Sequence, residues 1–137
     1  MTYYFNKIEI CEAYHLNRVQ FSAITRTAFF DEYMPFEQLS NIGLISCEIK
    51  ETTEHGVKVF DIQVSAKTND TLQLSEKAYV IRLTDICGHQ FLMGTAIKPH
   101  PAITLTDRYG KAGDGVGTTF TARLKSTLPL LRLIQVM

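Results

Sequence analysis

Apolar and polar residues alternate with a period of two along most of this chain. In Ile45-Ser46-Cys47-Glu48-Ile49-Lys50 the odd positions are apolar, and in Phe60-Asp61-Ile62-Gln63-Val64-Ser65 the even ones are. Thr119-Phe120-Thr121-Ala122-Arg123-Leu124-Lys125 repeats the pattern with Phe120, Ala122 and Leu124 on one side. An extended strand sends successive side chains to opposite faces, so each run predicts a half-buried antiparallel strand with one dry and one wet face. Residues 79–83, 91–97, 102–106 and 131–136 are further strand candidates, richer in apolar residues and therefore expected nearer the centre of a sheet. Residues 5–11 and 18–25 complete the set.

Turn signals stand between these runs at short intervals. Glu54-His55-Gly56, Thr68-Asn69-Asp70 and Asp85-Ile86-Cys87-Gly88 each separate two strands. The fold class expected is therefore all-β: one domain over residues 1–137, an antiparallel β-sandwich or barrel built from hairpins. Only residues 27–40 could hold a helix, and Pro35 divides them, so the expectation is at most a short helical excursion there. Leu83-Thr84-Asp85 followed by Gly88 recurs as Leu105-Thr106-Asp107 followed by Gly110, which predicts two hairpin turns of similar chemistry.

Composition narrows the function classes. The chain has 137 residues with 45% hydrophobic and 10% aromatic content, enough to build a core, which excludes a wholly disordered chain. Fourteen Lys and Arg offset fourteen Asp and Glu, so no overall positive field favours direct nucleic-acid binding or attachment to a membrane surface. No apolar run approaches the ~20 residues of a membrane-crossing helix. The N-terminal segment lacks the basic, apolar and small-residue succession of a secretory signal. Cys11, Cys47 and Cys87 are odd in number and far apart, and they read as reduced core thiols rather than a disulfide framework; synthesis in the cytoplasm is expected.

Charge is uneven within the zero total. Residues 31–54 hold six acidic side chains against Lys50, a balance of minus five, and residues 98–137 hold six basic ones against Asp107 and Asp114, plus four. Opposite signs on two parts of one chain suit either pairing within the chain or head-to-tail self-association.

Catalytic and cofactor chemistry finds little support. The glycines Gly110, Gly113, Gly115 and Gly117 crowd one segment, but a phosphate loop needs a helix after its glycines, and residues 118–125 alternate like a strand. The segment reads instead as a long hairpin loop that orders against a partner. Cys87-Gly88-His89 is the one close Cys/His pair, and zinc would need two more ligands. No Gly-x-Ser-x-Gly elbow is present, so neither catalytic, cofactor nor metal residues are assigned and the chain is expected not to be an enzyme. The aromatic-rich residues 14–40 are poor in strand alternation. Phe29, Phe30, Tyr33 and Phe36 within them are candidate contact residues, since aromatics are favoured in interface cores.

The C-terminal half carries a family likeness. Leu83-Thr84-Asp85-x-x-Gly88, then Phe91-Leu92-Met93-Gly94, Pro101, the glycine-rich segment from Gly110 to Gly117 and a strand ending near Leu130 resemble small β-rich phage and prophage virion-assembly proteins of the tail-completion, minor tail or head-tail connector type. The resemblance implies a structural role in a phage-like particle and incorporation into a virion. Its partners would be other virion proteins or further copies of the chain, and function would lie in edges, loops and the aromatic segment. The alternative is a cytoplasmic β-barrel or sandwich that binds a small ligand, for which a groove lined by Tyr79, Ile81, Phe91 and Met93 would be the mark.

Overall fold

The computed structural model describes residues 1–17, 19–22, 24–30, 34–68, 74, 77–109 and 116–135, with backbone alone at 30, 108, 109, 116 and 135. Twelve strands are described: β1 (Thr2–Phe5), β2 (Lys7–Glu12), β3 (Gln20–Ser22), β4 (Thr27–Phe30), β5 (Glu37–Leu39), β6 (Asn41–Glu54), β7 (Val57–Thr68), β8 (Tyr79–Thr84), β9 (Gln90–Met93), β10 (Ala102–Tyr109), β11 (Val116–Ser126) and β12 (Leu131–Gln135). They form a five-stranded sheet in the order β1-β6-β7-β11-β10 and a seven-stranded sheet in the order β3-β4-β12-β9-β8-β2-β5. The two sheets pack face to face as a sandwich. Each keeps two edges, so the barrel alternative is set aside.

The five-stranded sheet follows the alternation closely. Ile45 and Cys47 of β6, Phe60, Ile62 and Val64 of β7, and Phe120, Ala122 and Leu124 of β11 are buried, while Asp61, Gln63, Arg123 and Lys125 point to the wet face or its margin. β6 and β7 meet in a two-residue hairpin in which Glu54 pairs with Val57. Its central residues His55 and Gly56 have φ of 51° and 79°, the positive values a tight turn needs to match the twist of the strands it joins. Asp85 builds the β8–β9 turn as its position suggests. Its Oδ1 accepts the amides of Cys87 and His89 at 2.9 Å each, and its carbonyl accepts Gly88 N–H at 3.0 Å.

Around β2, β8 and β9 the seven-stranded sheet is covered on both faces. One face, with Ile8, Ile10, Ile81, Leu83 and Met93, joins the inter-sheet core. The other, with Cys11, Val80, Leu92, Leu131 and Leu133, forms a second cluster with Ala13, Leu16, Ala28 and Met34. Burial on both faces is why 79–83 and 91–93 read as nearly continuous apolar runs. β9 stops at Gly94, where a Cβ would stand 2.9 Å from Pro101 Cδ and the φ is +97°.

Several expectations are refined or corrected. Residues 27–40, where at most a short helical excursion is expected, hold no helix among the described positions. They contribute β4 and β5 at opposite sides of the seven-stranded sheet, with Met34 and Phe36 against its second face. The aromatic and β-branched Thr-Ala-Phe-Phe run favours extended backbone, and the one helical turn among the described residues is a 3₁₀ turn at Ala13–Leu16, which buries Ala13 and Leu16. The sheets are not wholly antiparallel, since β4 and β12, remote in sequence, run parallel. Asp107 is not a turn residue. β10 continues through it to Tyr109, and its carboxylate accepts a hydrogen bond from Thr118 Oγ1 at 3.3 Å across the ladder. Cys87 lies exposed in its turn, whereas Cys11 and Cys47 are buried free thiols. Asn69 and Asp70 lie outside the described residues.

Candidate functional site

A cleft of about 370 Å³ opens where the β6–β7 hairpin runs beyond the opposing sheet. The inner-face row of β6 shows how the sequence makes it: Ile45 and Cys47 are fully buried and Ile49 partly so, and the next residue of the same parity is Glu51. On β7 the matching row runs from Val64 and Ile62 through Phe60 to Lys58, so apolar filling gives way to an ion pair, Lys58 Nζ to Glu51 Oε2 at 3.1 Å. The sheets cannot close over charged side chains, and the end of the sandwich stays open.

Aromatic rings form the walls of this cleft. Phe5 and Phe91 meet edge to face with centroids 5.7 Å apart, and Tyr3, two residues before Phe5 on β1, lies nearer the mouth at 43% exposure. Two arginines also line the cleft, beside these rings. Arg132 of β12 pairs with Phe91 of β9 in the ladder, and its amide donates to the carbonyl of Arg26 at 2.8 Å. Arg26 sits in the turn before β4 with φ of 54°, a left-handed conformation disfavoured for a side-chain-bearing residue. Its guanidinium lies 5.4 Å from the centroid of the Phe60 ring. Among the described residues neither guanidinium has a carboxylate within 4.0 Å. Glu51 is held by Lys58, and Asp85, also on the lining, is held by the turn amides and by His89 Nδ1 at 3.4 Å.

The residues singled out from sequence do not gather at this cleft. Phe29 stands on β4, 37% exposed, paired with Ile134 of β12, which is equally exposed. Phe30 belongs to the same strand, with its side chain outside the described set. Phe36 lies half-buried on the second face of the seven-stranded sheet, stacked on Arg82, whose guanidinium is 4.3 Å from the ring centroid. Tyr33, Gly110, Gly113 and Gly115 lie outside the described residues, and Gly117 is a buried position of β11 paired with Arg108. The groove imagined around Tyr79, Ile81, Phe91 and Met93 is absent, because Ile81 and Met93 are cross-strand partners filled into the core. Phe91 alone of the four lines the cleft. The signal that marks the cleft in the sequence is a charge at dry-face parity, Glu51 after Ile45, Cys47 and Ile49.

Burial makes the two core thiols poor nucleophiles. Removal from water pushes Cys47 up to about 12, and burial, aided by the neighbouring Glu12 carboxylate, pushes Cys11 up to about 11. Among the described residues no three His, Cys, Asp or Glu side chains gather as a metal site. No described helix is long and apolar enough to cross a membrane. Comparison with protein-family models, curated proteins and solved structures gave no match.

Proposed function

We propose that this protein is a structural or assembly component of a phage-like particle, in the tail or head-tail joining region, and that it works through protein–protein contacts rather than catalysis. The observation that supports this reading is the edge formed by β10. This strand is eight residues long, lies at the end of the five-stranded sheet and is paired only with β11 among the described residues. Edges of soluble proteins are usually blunted by lysine, proline or a bulge. Here Pro101 stands just before the strand, and the run Ala102-Ile103-Thr104-Leu105-Thr106 contains none of these devices. This edge, regular throughout and uncharged over residues 102–106, offers its backbone N–H and C=O groups to an added strand, and the half-buried Ile103 and Leu105 beside it extend the apolar contact. The exposed Phe29–Ile134 pair on the other sheet supplies a second contact surface.

Charge is expected to steer such contacts only in part, because Glu54 of the acidic stretch is met within the chain by Lys125 of the basic stretch at 3.1 Å. The partner strand with the matching chemistry is β10 of a second copy, which would join two five-stranded sheets edge to edge. Sedimentation velocity across protein concentration tests this. The unmodified chain should associate, and Thr104→Lys with Thr106→Lys, both at exposed positions, should shift it to monomer without lowering its melting temperature. Phe29→Ser should weaken association more than Glu54→Gln. A chain that stays monomeric at high concentration, or a lysine variant that associates as well as the original, would count against the reading.

A further inference from the structure

We infer that the cleft at the open end of the sandwich is a binding site for a small organic anion that carries an aromatic or apolar body. This goes beyond assembly and rests on different residues from the β10 edge. A volume of about 370 Å³ falls within the roughly 300–1,000 Å³ of small-molecule sites, which combine apolar walls with a few convergent polar groups.

The walls and the polar groups are both present. The half-buried Phe91 offers ring surface above the buried Phe5 and Phe60, and the exposed Tyr3 and Tyr4 stand at the mouth. The charges on the lining are not balanced alike. Glu51 is paired with Lys58 and the Asp85 carboxylate accepts the amides of its own turn, and neither stands within 4.0 Å of the arginines. Arg26 and Arg132, by contrast, have no carboxylate partner among the described residues, and the 2.8 Å bond from Arg132 N–H to the Arg26 carbonyl fixes their backbones side by side. A guanidinium presents a rigid fork of donors that matches the oxygens of a carboxylate or phosphate. Two of them beside aromatic rings select an anionic head group with an apolar body behind it. The left-handed backbone at Arg26 is a further sign that the side chain is held at this position despite its conformational cost.

The test uses phenylacetate and phenyl phosphate as probes, with 2-phenylethanol as the neutral counterpart and inorganic phosphate as the head group alone. Titration followed by amide chemical shifts should give saturable changes centred on Phe91, Leu130 and Arg132 with one or both phenyl anions. 2-Phenylethanol and inorganic phosphate should each bind about tenfold more weakly or worse. The two anions tell whether carboxylate or phosphate is the better head group. Arg26→Gln combined with Arg132→Gln should lower phenyl-anion affinity about tenfold or more while leaving the melting temperature of the free protein unchanged, since both side chains are exposed. Should that variant fold poorly, salt decides on the original chain: affinity must fall as ionic strength rises. Failure of both phenyl anions to bind, equal binding of the neutral alcohol, or salt-insensitive affinity would each overturn the inference.

Discussion

Each sheet contains a carboxylate held bidentately by an arginine on the neighbouring strand, directly opposite in one sheet and diagonal in the other, with nearly equal hydrogen-bond distances. In the seven-stranded sheet Arg82 donates to Glu9 through Nε at 3.0 Å and a terminal nitrogen at 2.6 Å. In the five-stranded sheet Arg123 donates to Asp61 at 3.0 and 2.7 Å. Their surroundings differ. Glu9 and Arg82 expose only 6% and 16% of their side chains, beneath the Phe36 ring, whereas Asp61 and Arg123 expose 24% and 62%. Hydrogen-bond geometry alone therefore says little about what a pair contributes. Burial sets the cost of breaking it, because a charge stranded away from water has nowhere to recover its solvation.

The largest effect should come from breaking the covered pair on one side. Arg82→Met leaves Glu9 buried with only Lys7, at 3.8 Å, to answer it, and should cost about 3–5 kcal/mol in a denaturant titration. Glu9→Met with Arg82→Met should recover most of that loss, since both charges are removed together. A double variant as unstable as the single one would mean that the pair organises the sheet rather than merely neutralising itself.

A second comparison concerns the apolar groups around each pair. Leu92→Ala, in the cluster on the second face of the seven-stranded sheet, should cost about 2–5 kcal/mol, much as Ile62→Ala should in the inter-sheet core, because both side chains are fully buried. If the Leu92 substitution were nearly silent, the second cluster would be a loose cover and not a core.

The wet-face pair should respond far less. Asp61→Asn should stay close to the scatter of the same titration, since exposed pairs are screened by solvent. Its signature is in pH. The hydrogen bond from Arg123 holds the Asp61 carboxyl below the usual carboxylate range. What the pair adds is thus complete above the unfolded value of about 3.9 and is lost as the pH falls through the lower folded value. Asp61→Asn should flatten the stability–pH curve in that acid window, its small loss being constant above the window and vanishing below it.

Thiol labelling probes the same contrast with no change in stability. One cysteine, Cys87, should react in the folded protein near neutral pH, and Cys11 and Cys47 only on unfolding. Rapid native-state labelling of Cys11 would show that the second face of the seven-stranded sheet opens, and labelling of Cys47 that the two sheets part.

The two sheets were not equally legible in the sequence. In β6, β7 and β11 one face is dry and one wet, so the alternation reported face, register and core together, and His55-Gly56 marked the hairpin. In β8 and β9 both faces are covered, and apolar runs mark a strand without saying which side meets which layer. Residues 27–40 were less legible for a related reason. Their aromatics signal burial, but the strands they form are three and four residues long and take their conformation from neighbours distant in sequence. The cleft was legible only as Glu51 at a dry-face position. Its other components, Arg26, Phe91 and Arg132, come from three separate strands or turns.

The sequence by itself determined the extended backbone, the turns at Glu54-His55-Gly56 and Asp85-Ile86-Cys87-Gly88, and the inward set of the five-stranded sheet. All of these are short-range matters of side-chain period and backbone φ. Tertiary structure alone decided the strand order, the parallel pairing of β4 with β12, the exposed β10 edge and the meeting of Arg26 with Arg132. Each of these depends on which remote segments bury the same apolar surface, and a period of two, identical on every strand, carries no address for its partner.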